Sequence, residues 1–325
     1  MDFNEITGHK RAIDALKRSI KKGSVSHSYL FEGEEDLGKN KVAFAFAKTL
    51  LCKEKKEEPC NRCSSCLKFD GGNHPDFALI RPENGIIKKG EIETLVKSVA
   101  MAPFESERKV FIIDDSHKMN PEGQNALLKT LEEPPDYINI ILISSSSNNL
   151  LPTILSRCQI LKFYPVETLK IVDYLMDKHK KDKEEALFIA HFSKGSIGKA
   201  IKLSEDDSFF YKREEIIKII DGIIKGDKVR ALTSIEFFND NKEIIDDILD
   251  MFLYWFRDLY IYKEIGESDL IINKDKLQYF SEESVVEFDK INDIIKKIQE
   301  TKENIRRKIN YQLSIETMLL NIQED

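Results

Sequence analysis

Along the first half of the chain, short runs of consecutive apolar residues alternate with stretches in which apolar positions recur every three or four residues. The runs Ser28 to Glu32, Asp76 to Arg81, Lys109 to Ile113, Ile138 to Ser144 and Gln159 to Phe163 read as strands. The intervening Lys39 to Leu51, Lys89 to Ala100 and Pro121 to Leu131 read as amphipathic helices. Lys109 to Ile113 is apolar after its first residue, and a strand with no polar alternation is covered on both faces. The pattern therefore predicts a parallel α/β sheet between two helical layers over residues 1–165. After Pro165 only helical periodicity remains, punctuated by turn signals at Lys194-Gly195-Ser196, Lys225-Gly226-Asp227, Asn239-Asp240-Asn241 and Gly266-Glu267-Ser268. A softer boundary near Ser204 to Ser208 divides this part into a small helical domain, 166–206, and an all-α domain, 207–325. The aromatic stripe from Met251 to Tyr260 has helical spacing and is expected in the core of that last domain.

Composition adds exclusions. A chain of 325 residues, 41% hydrophobic and 33% charged, is that of a soluble globular protein with more than one core. No apolar run approaches the roughly 20 residues needed to span a bilayer, and Met1 to Lys10 lacks a signal-peptide core, so a cytoplasmic location with no membrane contact is expected. A net charge of −7 argues against a chain that coats itself in nucleic acid. Lys296, Lys297, Lys302, Arg306, Arg307 and Lys308 alternate with acidic and apolar residues as on a solvated helix face.

Between the first strand and the first helix lies Gly33-Glu-Glu-Asp-Leu-Gly38-Lys39-Asn40. Gly-x4-Gly-Lys in this setting is the arrangement whose backbone N–H groups and helix N-terminus cradle phosphates, with the lysine reaching the terminal ones. Two features depart from it. Asn40 stands where a Ser or Thr hydroxyl would ligate Mg2+, and Glu34, Glu35 and Asp36 place carboxylates where a triphosphate would lie. The strand Val110 to Ile113 ends in Asp114-Asp115, at the edge where α/β sheets bind ligands. Asp114 is a candidate Mg2+ ligand through water. Asp115, one methylene shorter than a catalytic glutamate, is either a weakened base or a cap for the next turn. A degenerate site, binding ATP or ADP weakly or not at all, is expected.

Directly after the helix come Cys52, Cys60, Cys63 and Cys66, four thiols within 15 residues, with Cys158 far from them. In a reducing compartment such spacing reads as a structural Zn2+ site of four thiolates, with His74 as the alternative to Cys52.

Together with these features, His27-Ser-Tyr-Leu-Phe-Glu-Gly33, His74-Pro75-Asp76, Asn125-Ala-Leu-Leu-Lys129-Thr-Leu-Glu-Glu-Pro134-Pro135 and Leu151-Pro-Thr-Ile-Leu-Ser156-Arg157-Cys158 form an ordered series over about the first 205 residues. That series resembles the delta-prime subunits of the bacterial DNA polymerase III clamp loader. The resemblance implies an AAA+ P-loop module over 1–165 with a zinc-knuckle insertion at 52–75, a helical lid over 166–206 and a C-terminal collar over 207–325. It implies that Arg157, in Ser156-Arg157-Cys158, is an arginine finger acting in trans on a neighbour's ATP, and that Ser145 or Ser146 lies near sensor 1. Gly195-Ser-Ile-Gly198-Lys199-Ala resembles the sensor 2 stretch, with Gly198 where an ATPase subunit carries arginine. The implied partners are gamma or tau and delta, with the sliding clamp and primer-template DNA met through the assembly. Two rival expectations stay open: an autonomous ATPase of the gamma type, and a zinc-dependent DNA-binding protein.

Overall fold

The structure, a computed structural model, describes residues 2–323, less the side chains of residues 228, 231, 232 and 323. Two compact units emerge: one runs to Tyr174 and includes Ser193–Ile201, the other takes Leu175–Phe192 and the chain from Lys202 onward.

The first unit contains β1 (Ser28–Glu32), β2 (Phe77–Ile80), β3 (Lys109–Ile113), β4 (Ile138–Ser144) and β5 (Gln159–Lys162), all parallel, in the order β2-β3-β4-β1-β5. The central β1, β3 and β4 are buried along nearly their whole length, whereas the edge strands β2, apolar but half-buried, and β5, largely exposed, are not. The pleat divides them. Tyr29, Phe31, Val110, Ile112, Ile141 and Ile143 face a layer built from α1 (Lys10–Lys21) and α2 (Lys39–Leu51), where Leu16, Val42 and Phe46 meet them. The short α3 (Ser64–Asp70) joins that same side through Phe69, while Leu30, Phe111, Ile113, Ile140 and Leu142 face the opposite layer, made by α4 (Lys89–Val99) and α5 (Pro121–Glu132) through Ile92, Leu95, Leu127 and Leu131. Asn120 caps α5 by accepting from Gly123 N at 2.9 Å, with Pro121 at its first position. A single turn, α6 (Pro152–Leu155), precedes β5. The parallel sheet between two helical layers is the expected one; α1 and α3 were not foreseen.

Helices α7 (Thr168–His179), α8 (Lys183–Phe192) and α9 (Ile197–Glu205) follow, and α10 (Ser208–Ile224), α11 (Lys228–Asp240), α12 (Ile245–Ile265), α13 (Leu277–Glu283), α14 (Phe288–Arg306) and α15 (Tyr311–Gln323) complete an all-α second unit. The aromatic stripe lies in α12 and is core: Met251, Phe252, Trp255, Phe256 and Leu259 are buried. Of the C-terminal basic residues, Arg307, paired with Glu303 at 2.9 Å, and Lys296, paired with Asp293 at 3.4 Å, lie on a solvated face, whereas Lys302 is tucked in against Asp250 at 2.5 Å, its side chain only 12% exposed. Among the described residues no helix is long and apolar enough to cross a membrane.

Candidate functional site

β1 delivers the chain to the sheet's C-terminal edge, where Gly33 N donates to Ser144 O at 3.2 Å. Gly38 then adopts φ 98°, a left-handed conformation glycine reaches without strain, and starts α2. Phosphate-loop geometry is thus present, but its polar groups are turned on one another. Lys39 is 6% exposed, and its Nζ donates to Gly33 O at 2.6 Å and Glu34 O at 2.5 Å. Burial pulls its pKa below the ordinary lysine value, against the opposing pull of Asp115, Glu35, Asp114 and Asp36. His9 takes the Leu37 carbonyl at 2.6 Å. Gly198 N donates to Asp36 O at 2.8 Å, and a Cβ on Gly198 would stand 2.8 Å from that oxygen. Any side chain at Gly198 therefore requires the loop to move.

Asn40, in the first turn of α2, donates Nδ2 to Asp114 Oδ2 at 2.9 Å, and Arg81 Nε lies 3.4 Å from the same oxygen. Burial first, and Asp115 second, push the Asp114 carboxyl above its usual range. Asp115 has φ 49° and caps nothing with its side chain; its carboxylate pairs with Lys118 at 2.8 Å. Ser145 Oγ meets His117 Nε2 at 3.2 Å, while His117 Nδ1 is buried without a partner. Gly33, Gly38, Lys39, Asn40, Asp114 and Asp115 are thus brought to one sheet edge. Arg81 and His9 were not anticipated; Arg81, one residue beyond β2, was legible only as a strand-end cation.

The other end of α2 leads into the cysteines. Sγ atoms of Cys52, Cys60, Cys63 and Cys66 all lie within 4.8 Å of one another, with Cys60 and Cys66 at 4.0 Å. A regular tetrahedron with Zn–S bonds of about 2.3 Å has edges of about 3.8 Å, so the set fits a four-coordinate ion without rearranging the chain. Backbone N–H groups aim at three of the sulfurs: Cys60 N at Cys52 Sγ, Cys63 N at Cys60 Sγ and Cys66 N at Cys63 Sγ, at 3.3–3.4 Å. Burial raises Cys52 and Cys66. At Cys63 it is overcome by the N–H groups of Cys66 and Lys53 and the neighbouring Cys60, which bring the thiol down to about 6. His74 is no ligand in this arrangement, because Nδ1 accepts from Asp76 N at 3.1 Å and Nε2 meets Ser65 Oγ at 2.9 Å. The module is tied to the sheet by Lys48 of α2, 1% exposed at its side chain, which donates to Asn61 Oδ1 at 2.6 Å and Asp70 Oδ2 at 2.7 Å.

Arg157 follows α6 on a surface loop. Its Nη1 donates to Thr153 O at 2.8 Å and Ser156 Oγ at 3.2 Å, and its Nη2 pairs with Glu132 Oε1 at 2.7 Å. Glu132 had been given no role by the sequence. Cys158 is half-buried, and desolvation pushes its thiol up to about 11.

Comparison with known proteins places this geometry in context. The family described as "DNA polymerase III, delta subunit" matches residues 8–167, and "DNA polymerase III, delta subunit, C terminal" matches 208–324. The chain is 32% identical to the DNA polymerase III subunit delta′ of Bacillus subtilis, over 99% of this chain and 98% of that protein. It is 29% identical to the same organism's subunit tau over 85% of this chain, spanning 53% of tau's length. Among solved structures, the Thermotoga maritima RuvB Holliday junction branch migration motor covers 81% of this chain, and the chain 78% of it, at 19% identity and a TM-score of 0.45.

Proposed function

Because the chain belongs to the family of clamp-loader delta′ subunits of DNA polymerase III, we propose that it is a loader subunit that hydrolyses no ATP itself and completes the ATPase site of a neighbour. In this reading the parallel α/β unit is its AAA+ module, residues 166–206 the lid and 207–325 the collar that joins a ring with gamma or tau and delta. The ring loads the sliding clamp on primer-template DNA in the cytoplasm.

The observation that carries the reading is the contrast between two cations. Lys39 is spent inside its own loop, on the carbonyls of Gly33 and Glu34, and Asn40 and Gly198 supply neither a metal-binding hydroxyl nor a phosphate-sensing guanidinium. Arg157 lies instead at the surface, 32% exposed at its side chain, where its partners are two oxygens of its own loop and the half-exposed carboxylate of Glu132, all open to competition from water or an incoming phosphate. A guanidinium offered across an interface stabilises the charge that spreads over a transferring phosphoryl group, and its planar fork matches phosphate oxygens two at a time. Zn2+ on Cys52, Cys60, Cys63 and Cys66 would have no open coordination position. It therefore activates no water and serves to fold the module.

The test has two parts. The isolated chain should purify without nucleotide and show no ATP turnover. In a loader reconstituted with all its subunits, Arg157→Ala should leave assembly intact while slowing clamp- and DNA-stimulated hydrolysis at the served site by about 10^3-fold or more. Unchanged turnover in that complex refutes the assignment.

A further inference from the structure

We propose that Glu132 is a positioning residue for Arg157: it holds the guanidinium in a parked orientation until a neighbour's polyphosphate outcompetes it, and so sets the loader's low turnover in the absence of clamp and DNA. The proposal rests on Arg157 acting as the finger.

Glu132 is the last residue of α5 and Glu133 its cap, followed by Pro134-Pro135, so two carboxylates stand at the negative end of a helix, where the backbone dipole favours cations. Helix propensity and capping do not account for them. What compensates Glu132 is Arg157, 25 residues on in the sequence, at 2.7 Å through Nη2 and Oε1. With Nη1 on Thr153 O and Ser156 Oγ, the guanidinium is laid along its own loop instead of projecting from it. Beside it opens a hollow of about 540 Å³ lined by His27, Leu131, Glu132, Ser156 and Arg157. The head group has room to swing without disturbing the core.

The strength of the contact suits a latch. Side-chain exposures of 32% for Arg157 and 47% for Glu132 leave water free to compete, so the pair is weak. A nucleotide polyphosphate carries several negative charges and accepts a bidentate fork, so it displaces a single carboxylate once a neighbour presents it squarely. Thr153 O and Ser156 Oγ remain when Glu132 is neutralised, so the loop keeps its shape while the latch is removed.

In reconstituted loader, Glu132→Gln should therefore raise ATP turnover without clamp and DNA by about two- to fivefold, the weight of a half-exposed ion pair. Fully stimulated turnover, where the finger is already engaged, should stay near the native rate, so the stimulation ratio narrows. Glu132→Asp, which keeps the charge, should restore most of the native ratio. An unchanged or lowered unstimulated rate in Glu132→Gln, with Arg157→Ala still slowing stimulated turnover, overturns the latch and leaves the finger standing. If Arg157→Ala changes nothing, both fall. The double variant should behave as Arg157→Ala, since the latch acts only through the arginine.

Discussion

The two ends of α2 meet similar demands differently. At its start, a lysine, an asparagine and a set of loop carbonyls find partners within the chain: Lys39 on Gly33 O and Glu34 O, Asn40 on Asp114, Asp36 O on Gly198 N. At its end, Cys52 begins a group of four thiols whose close neighbours are one another and a few backbone N–H groups. A site whose donors are satisfied internally loses its need for a ligand. A site whose ligand atoms converge on nothing else keeps it. Both sites arise from compact motifs printed in the sequence, and only the distribution of partners tells them apart.

The largest effect should come from breaking the unsatisfied end. Cys60→Ser, or stripping the ion with a chelator, should remove one equivalent of zinc and cost on the order of 5 kcal/mol of stability around residues 52–75, because metal-binding energy in such modules is folding energy. Metal analysis and amide exchange over that segment read the outcome directly. Exchange rates unchanged by chelation would mean that Lys48, with its bonds to Asn61 and Asp70, and Ser65 Oγ on Leu51 O hold the knuckle unaided.

How legible these two ends were follows from the same distinction. Unbroken apolar runs gave β1, β3 and β4 with the observed bounds, since burial on both faces leaves nothing else for such residues to do. The cysteine set was readable because ligand spacing is itself the constraint. The internal bonding of the phosphate-like loop was only half visible: Asn40 and Gly198 marked departures from the motif, but the bonding of Lys39 to Gly33 O and Glu34 O is a matter of tertiary geometry that local pattern does not carry. α3, seven residues long and carrying two of its polar positions as Ser64 and Ser65, has too little periodicity to announce a helix. α1 did carry a signal, with Ala12, Ile13, Leu16 and Ile20 on one face, half hidden by a lysine- and arginine-rich opposite face. The pairing of Glu132 with Arg157 joins a helix end to a distant loop, and local pattern cannot foresee such a contact.

A group of intermediate standing sharpens the comparison in the second unit. Glu283 is 2% exposed; Oε2 accepts from Trp255 Nε1 at 2.8 Å, while Oε1 has no partner. Burial raises its pKa to about 7, with Asp221 and Glu282 adding and Lys225 opposing. A carboxyl whose folded pKa exceeds its unfolded value binds more protons when folded, so its contribution is full below about pH 4.5 and is lost as pH rises through about 7. The helical unit should lose on the order of 3 kcal/mol across that window, and Glu283→Gln should flatten the slope. Trp255 is the chain's one tryptophan and reports the transition by fluorescence during urea unfolding. An equal slope in the variant would place the proton elsewhere.

The smallest change should come from the satisfied end, and its smallness is the informative part. In a working phosphate loop, removing the lysine abolishes nucleotide binding, because the ammonium contacts the terminal phosphates. Here Lys39→Met removes two short hydrogen bonds to the carbonyls of Gly33 and Glu34. The expected cost is about 1–2 kcal/mol of stability, the usual weight of charged hydrogen bonds partly replaced by water. Nucleotide affinity of the isolated chain should be as undetectable in the variant as in the parent, by equilibrium dialysis with ATP and Mg2+. If the parent binds ATP tightly and Lys39→Met does not, the lysine leaves its carbonyls for phosphate, and the internal partners at the start of α2 are a resting state that ligand can open.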